Sequence, residues 1–433
     1  MEAVVVQSAF NRFLKLSLQF LAGSTVASLA VFAASLLLAK TLTLAEFGIL
    51  ALIQASLAVI EGLTFSQSWQ ALVRFMPKTA PHSEAGVGRL LKYCISTDLL
   101  NAIISIVLLI LAFLFSTLLG IDSPELLLTY GLILPFRMNG TWQGLARTQN
   151  KLKLINYQLI IAGVGKLLTA LVIYFNSDLG LSEAVVGFTI SEACGYMFLI
   201  LSSIQLVNKD WGIDRLWLDS KVIGSQDNLV RKFLIINHFN VSSVLAIRNI
   251  DELIVGKLIS VESAGVYKLI KLIAALLSKV IEPMYIVIYP EFNRLLSMNK
   301  FIELKSMLKR ITAMTFSAAL LFIITSVLLG ETALNYFTSS AMINGFPPLI
   351  IYVIGMAVNM MFFYAHPLAI SLGLESFVLK ANLLLGASYI AAMWYFGNEF
   401  GLLGISICTS FYMLSSAVVR LWGSSQKLKD YYE

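Results

Sequence analysis

Apolar residues occur along the whole chain in runs that short polar segments separate. Most runs have roughly 20 to 25 residues, so an α-helix at about 1.5 Å per residue crosses a hydrocarbon layer about 30 Å thick. The pattern predicts an all-α polytopic membrane protein of about twelve transmembrane helices. The first run exceeds the roughly 7 to 15 residues of a signal-peptide core, which favours a retained span. The predicted spans are 16–39, 47–69, 93–119, 126–145, 155–175, 185–207, a two-span hairpin at 237–292, 311–329, 348–370, 381–395 and 402–422.

The predicted hairpin from Asn237 to Phe292 differs from the other runs because it carries several charges. Its two helices are joined by a polar turn around Ser260, Glu262 and Ser263. A charged side chain at bilayer depth costs about 2.5–3.5 kcal/mol, so we expect these charges to face a wet cavity or one another, as in a transport pathway. Helical spacing gathers them on one face of each helix. They are Arg248, Asp251 and Glu252 on the first helix, and Lys268, Lys271 and Lys279 on the second.

Composition supports a membrane protein. Hydrophobic residues make up 58% of the chain, charged residues only 13%, and the mean hydropathy is +0.82. An ordinary soluble domain has about 25% charged residues. The net charge of +6 does not indicate nucleic-acid binding, because the basic residues are dispersed between apolar runs. Three cysteines and three scattered histidines lack metal-ligand spacing, so we predict neither a metal site nor a disulfide framework.

Basic residues are concentrated in one of the two sets of loops. The longer loops and the tail carry most of them, whereas the opposite face carries essentially Lys40 and Lys257. By the positive-inside rule, both termini and the long loops are cytoplasmic. Within one of these loops, residues 291–310 are amphipathic, and we expect them to lie along the inner membrane interface.

The chain also contains an internal repeat. LLLAKTLTLAEFGIL at 36–50 and LIVGKLISVESAGVY at 253–267 share lysine and glycine at the same spacing. A weaker pair is QNKLKLIN at 149–156 and ESFVLKAN at 375–382. An even number of spans in each half gives parallel repeats about an axis along the membrane normal, with substrate in a central cleft. The predicted domains are an N-terminal six-helix bundle at 1–210, a cytoplasmic linker at 211–230 and a C-terminal six-helix bundle at 231–433.

Several local patterns resemble one family of membrane proteins. They are a first helix with Gly23 and Ser24, the turn AKTLTLAEFGIL, residues 251–256 followed by SAGVY, and a helix that ends in YPEF. Together they resemble polysaccharide-export flippases of the Wzx type, in the multidrug/oligosaccharidyl-lipid/polysaccharide (MOP) superfamily, which includes the MATE transporters.

The resemblance implies a MATE-like fold in the bacterial inner membrane and no enzymatic activity. It further implies that the protein moves an undecaprenyl-pyrophosphate-linked oligosaccharide repeat unit from the cytoplasmic to the periplasmic leaflet by alternating access. The product would serve O-antigen, and hence lipopolysaccharide, or another surface polysaccharide. The implied partners are the lipid-linked oligosaccharide, the lipid bilayer, a glycan polymerase and a chain-length regulator.

A pyrophosphate is a dense anion, which guanidinium and ammonium groups bind through charge-assisted hydrogen bonds. The predicted substrate-binding residues are the cations within spans: Arg137, Lys166, Arg248, Lys268, Lys271 and Lys279. Other interpretations remain for three of them. Arg248 can pair with an acid of its own helix, and Lys279 with Glu282 one turn on. Lys268 lies close enough to the outer surface to extend toward water.

Acidic residues inside the spans are candidates for ion coupling. We predict this role for Glu61, Glu192, Asp251 and Glu252, with a proton or a sodium ion as the coupling ion and no other cofactor. Asp98 is also acidic, but it falls near the end of its predicted span, where we expect a solvated side chain.

Other functions remain open. A MATE-like drug or cation extruder would share the two bundles, although a cation pocket should be acidic and the embedded charges here are mainly basic. A glycan polymerase or ligase usually carries a large periplasmic loop, which is absent, and a lipid II flippase usually has additional C-terminal spans. The chain has no Walker A sequence and no G-x-S-x-G elbow, so neither ATP hydrolysis nor hydrolytic chemistry is indicated.

Overall fold

The computed structural model describes residues 25–79, 84–149, 151–210, 225–337 and 345–429. These residues form helices joined by short turns and contain no β-strand, which confirms the all-α fold class. A short 3₁₀-helix covers Ser116–Leu119. The α-helices are α1 (Thr25–Thr41), α2 (Leu44–Thr64), α3 (Ser68–Thr79), α4 (Glu84–Leu114), α5 (Pro124–Gly131), α6 (Leu134–Arg137), α7 (Gly140–Thr148), α8 (Leu152–Phe175), α9 (Leu181–Asp210), α10 (Ser225–Leu258), α11 (Val261–Ser297), α12 (Phe301–Phe337), α13 (Phe346–Met361), α14 (Ala365–Ser371) and α15 (Glu375–Lys429).

Seven helical segments of the described chain are long and apolar enough to span a membrane. Two of them, Leu44–Met76 and Phe346–Ser371, each contain two helices in close succession. α15 counts once, although Gly401 (φ 58°, ψ −140°) divides it into two arms. With α1, the broken segment α5–α7, α10 and α11 added, and with the two arms of α15 counted separately, the described helices correspond to the twelve predicted spans.

Three of the predicted spans contain a break between two helices. α2 and α3 are separated at residues 65–67, where Gln67 adopts φ 51°, a backbone conformation uncommon outside glycine. Pro135 lies in the first turn of α6. Proline is tolerated there because the N–H that it lacks would have no partner within the helix, whereas in a helix interior it would break a hydrogen bond. α13 and α14 are separated at residues 362–364. Apolar composition fixes the length of a span but does not reveal such breaks.

The internal repeat is visible in how two helices begin. Thr43 caps α2, and its hydroxyl accepts a hydrogen bond from the backbone N–H of Glu46 at 3.3 Å. Ser260 caps α11, and its hydroxyl accepts from the backbone N–H of Ser263 at 3.1 Å. The two caps are separated along the chain by the same interval as the paired lysines of the repeat. Both halves therefore start their second helix in the same way.

The chain divides into two compact units. The N-terminal unit is Val26–Leu253, and the C-terminal unit includes Ile254–Glu433. The core of the N-terminal unit includes Leu72, Cys94 and Leu145, which are fully buried. The bundle and linker boundaries derived from the sequence, at 1–210, 211–230 and 231–433, stay a prediction.

A hairpin tip contains the segment that we expected along the membrane interface. Residues 291–310 form the end of α11, a turn and the start of α12. Phe292 and Leu295 on one side of the turn belong to the same buried cluster as Leu304 and Met307 on the other. Part of the apolar face is thus buried against the hairpin partner and α14, whereas Ile302 is 70% exposed, and the interfacial location stays a prediction.

Candidate functional site

Four charged side chains of the N-terminal unit meet in one ion-pair network. They are Glu61 on α2, Arg137 on α6, Lys166 on α8 and Glu192 on α9. Arg137 Nη1 lies 2.8 Å from Glu61 Oε2, and Arg137 Nη2 lies 2.7 Å from Glu192 Oε2. Lys166 Nζ lies 2.5 Å from Glu192 Oε1. The sequence suggested bases for the substrate and acids for a coupling ion, and the structure joins both pairs in one site.

Glu192 is the centre of this network. Besides Arg137 Nη2 and Lys166, it accepts hydrogen bonds from Arg137 Nε at 3.1 Å and from the Tyr130 hydroxyl at 2.7 Å. A buried carboxylate needs several such donors, because removing it from water costs free energy that one partner does not offset. Two bases and two acids leave the network with no net formal charge.

The close approach of α8 and α9 explains how Lys166 reaches Glu192. Gly165, the residue before Lys166, lies against Ser191, the residue before Glu192. A Cβ placed on Gly165 would come within 2.6 Å of Ser191 Oγ and 2.8 Å of its Cβ. Small residues allow membrane helices to approach in this way. The glycine therefore sets the distance at which the two charged side chains meet.

Arg137 owes its position to the interruption in the fourth span. It is the last residue of the short helix α6, and Met138 (φ −76°, ψ 55°) turns the chain before α7 begins. From this break the guanidinium reaches acids on two other helices and lies 5.9 Å from the centroid of the Tyr130 ring. A residue at a helix break has fewer helical neighbours, which leaves room for two carboxylates around one guanidinium.

The four members differ in exposure. The side chains of Glu192, Arg137 and Lys166 are 7%, 12% and 13% exposed, whereas Glu61 is 32% exposed. Glu61 is thus the open edge of the network. A proton, a cation or a competing anion can reach the Glu61–Arg137 pair while Glu192 stays covered.

Two polar residues of the N-terminal unit were not identified correctly from the sequence. Tyr130 is 1% exposed, and its hydroxyl donates a hydrogen bond to Glu192. No local sequence pattern predicts this contact. Asp98 was expected to be a solvated helix end, but it is only 6% exposed. It accepts hydrogen bonds from the hydroxyl of Ser68 and from the backbone N–H and hydroxyl of Thr141, the last two at 2.7 Å. Asp98 therefore ties α3 and α7 to α4.

The remaining predicted site residues are on α10 and α11. Asp251 and Glu252 are buried on α10, at 2% and 3% exposure. Lys268 and Lys271 are partly buried on α11 in the C-terminal unit, where Lys271 Nζ lies 5.8 Å from the Tyr267 ring centroid. The side chains of Arg248, Lys279 and Glu282 lie outside the described part of the structure. Within the described residues, no three His, Cys, Asp or Glu side chains form a group that could hold a metal ion.

Residues 16–296 match the family described as polysaccharide biosynthesis protein. The chain belongs to this family. The match confirms the resemblance to the MOP superfamily that the local patterns suggested, and it makes the chain a relative of transporters. No curated protein matches the chain in sequence.

Solved structures confirm the fold. The chain is similar to an inward-facing multidrug resistance MATE family transporter of the MOP superfamily (TM-score 0.69, 13% identity, 93% of this chain and 95% of that one covered). It is also similar to a mutant of the Vibrio cholerae MATE transporter VcmN (0.68, 14%, 99% and 99%). A third similar structure is a MOP superfamily transporter from Pyrococcus furiosus (0.65, 13%, 97% and 96%), described as having a binding pocket of reverse polarity. At these identities the likeness establishes the fold.

Proposed function

We propose that this protein moves an undecaprenyl-pyrophosphate-linked oligosaccharide repeat unit from the cytoplasmic to the periplasmic leaflet of a bacterial inner membrane by alternating access. The observation that carries the proposal is the pair of basic side chains, Arg137 and Lys166, held at 12% and 13% exposure inside helices of a polysaccharide biosynthesis family member. Cations within membrane helices are costly, and their retention favours an anionic substrate. The repeat unit would then enter O-antigen or another surface polysaccharide, with a glycan polymerase and a chain-length regulator as downstream partners.

The geometry around Arg137 suggests how an anion is received. Glu61 holds one edge of the guanidinium, and Glu192 holds the other. A phosphate oxygen can replace the more exposed Glu61 carboxylate, because the planar guanidinium accommodates phosphate and carboxylate equally well. The displaced Glu61 then takes up a proton or a sodium ion. Binding of the substrate and of the coupling ion would thus be linked through one shared arginine.

The orientation follows from the distribution of basic residues, with both termini in the cytoplasm. The lipid-linked substrate would load from the same side. The cations Lys268 and Lys271, on α11, are proposed as further contacts for its head group, together with Arg248 and Lys279. Asp251 and Glu252 remain proposed coupling residues.

A MATE-like extruder of cationic drugs is the second candidate, and the similarity to MATE structures favours it. Such a pocket needs an acid that is available for the drug. In the N-terminal unit, however, both acids of the network are already paired with bases. A cation would have to displace Arg137 from Glu61, just as an anion would have to displace Glu61 from Arg137. The preference for an anionic substrate therefore rests on the family match.

The decisive test uses a deletion strain of the parent organism. We expect loss of surface polymer, with the lipid-linked repeat unit stranded in the cytoplasmic leaflet, and restoration by the wild-type gene. At matched membrane abundance, Arg137→Lys should restore export only in part, since lysine keeps the charge but cannot bridge two partners. Lys153→Gln, an exposed lysine at the start of α8, is the matched control and should restore export fully.

Unchanged glycan in the deletion strain together with altered drug tolerance would replace the proposal by the extruder. Repeat units that reach the periplasm without being polymerised would point to a polymerase instead.

A further inference from the structure

Arg420 in the C-terminal unit differs from Arg137 in how its charge is balanced. It lies on the second arm of α15, is partly buried, and donates from Nη2 to the amide oxygen of Asn382 at 2.8 Å. Asn382 is on the first arm and is 4% exposed. Among the described residues, Arg420 forms no ion pair with a carboxylate. Its hydrogen-bond partner is neutral, so no acid among the described side chains balances its positive charge, whereas two acids share that of Arg137.

Several polar atoms near Arg420 are buried and have no hydrogen-bond partner among the described residues. They include Arg420 Nε itself and the hydroxyl of Ser424, which lies one turn further along the same face of α15. His366 Nδ1 is another. His366 belongs to α14, which packs against α15, and it interacts electrostatically with Arg420. A buried polar atom without a partner is costly, so such a group of atoms is satisfied either by water or by a polar ligand.

The chemistry of these groups selects an oxyanion. A guanidinium with unused donors fits phosphate or carboxylate geometry, and the serine hydroxyl adds a neutral donor. The groups that interact electrostatically with Arg420 in the described chain are His366, Tyr285 and Tyr412, none of which carries a fixed negative charge. Among the described side chains, an incoming anion therefore meets no carboxylate that it must displace, unlike at Arg137.

One side of the arm that carries Arg420 borders the bilayer. Val418 and Trp422, each two residues from Arg420 on α15, are 53% and 58% exposed and lie on the side of the helix roughly opposite to Arg420. An exposed valine and tryptophan on a spanning helix are typical of contact with hydrocarbon and with the head-group boundary. A phosphate that reaches Arg420 at this depth does so most readily while its tail remains in the bilayer.

We propose that Arg420, Ser424 and His366 form a binding site for the phosphate or pyrophosphate group of a lipid, with Asn382 positioning the guanidinium. The site extends the proposed function. The identity of the lipid rests on that function, whereas the binding of a phosphate group does not. Arg420 lies near the C-terminal tail, where a basic residue ordinarily indicates the cytoplasmic side of the membrane. The proposed site gives this arginine a second role, recognition of a lipid head group.

Binding to the purified full-length protein in phosphatidylcholine nanodiscs tests the site. Three probes separate the parts of the ligand: farnesyl pyrophosphate, inorganic pyrophosphate and farnesol. We expect farnesyl pyrophosphate to bind more tightly than inorganic pyrophosphate, and farnesol not to compete. Arg420→Gln should weaken binding of farnesyl pyrophosphate by about tenfold or more, and Arg420→Lys by less, because charge remains while the guanidinium fork is lost.

Two further variants keep the test decisive. Lys429→Gln removes the same charge from an exposed position on the same helix and should bind like wild type. Ser424→Ala changes little volume and should weaken binding a few-fold, so it reports on the site if Arg420→Gln does not fold.

Unchanged affinity in both Arg420→Gln and Ser424→Ala would overturn the site, as would an equal loss in Lys429→Gln or full competition by farnesol. A further outcome is that inorganic pyrophosphate binds as tightly as farnesyl pyrophosphate and depends on Arg420 in the same way. That result would refute a lipid ligand and show that the site binds a soluble phosphate compound. These results are independent of export. A deletion strain that keeps its surface glycan would refute the proposed function without changing the binding measured at Arg420.

Discussion

Replacement of Glu192 by glutamine tests whether the ion-pair network stabilises the N-terminal unit. The change preserves the shape of the side chain but raises the formal charge of the four-residue network from zero to +1. Arg137 and Lys166 then lie close together with only Glu61 to balance them. Because Glu192 is 7% exposed, water cannot replace the lost carboxylate.

The expected loss of stability follows from this burial. Two opposite charges about 4 Å apart attract by about 4 kcal/mol at an effective dielectric constant near 20, and Glu192 has two cationic partners. Desolvation offsets part of that attraction, and breaking a buried pair by removing one member typically costs about 3–5 kcal/mol. We expect Glu192→Gln to lower the free energy of unfolding by that amount.

Unfolding by sodium dodecyl sulfate in mixed micelles, followed by circular dichroism, measures this free energy. Glu125→Gln, an exposed acid in the first turn of α5, is the matched control and should change it by less than about 0.5 kcal/mol. The double variant Lys166→Met/Glu192→Gln restores charge balance, so it should be about 1–3 kcal/mol more stable than the sum of the single effects. A loss below about 1 kcal/mol for Glu192→Gln, or strict additivity in the double variant, would refute the argument.

Three further predictions use the same unfolding measurement. Asp98→Asn should lower the free energy of unfolding by about 2–3 kcal/mol, since an amide nitrogen would face the hydrogen-bond donors of Ser68 and Thr141. A variant as stable as wild type would show that the carboxylate does not hold α3 and α7 against α4. Gly165→Ala should cost about 1–3 kcal/mol because the added Cβ meets Ser191, and an unchanged value would mean that α8 and α9 are not in close contact. Gly401→Ala should cost about 1–3 kcal/mol through backbone strain alone, as no atom lies within 4 Å of the added Cβ; a stable variant would indicate that the kink adopts another conformation.

The number of spans and the fold class followed from the sequence because both depend on the length and composition of apolar runs. The repeat also followed, since the turn after α1 and the turn after α10 use the same local capping chemistry. The helix breaks did not follow. At Gln67 and Met138 the breaks fall in short polar segments, SQS at 66–68 and NGT at 139–141, which are too brief to be recognised as loops between spans.

The candidate site was predictable as a set of charged residues but not as a set of partners. Arg137 and Lys166 stood out because a base within a span is costly. Their pairing with Glu61 and Glu192 joins positions far apart in the sequence, and only tertiary packing decides which charges meet. The same packing buries Asp98 near the end of its span, where distance along the helix suggested water.

The order of the network along the chain bears on how the protein is made. Helices near the N-terminus are synthesised first, so Arg137 is translated before α9 supplies Glu192. An arginine alone in the bilayer would cost about 2.5–3.5 kcal/mol at that stage. Glu61 is the acid of the network that already exists when Arg137 emerges. The Glu61–Arg137 pair, the more exposed pair of the finished site, is thus also the one that can form during synthesis and offset the cost of the buried arginine before α9 is made.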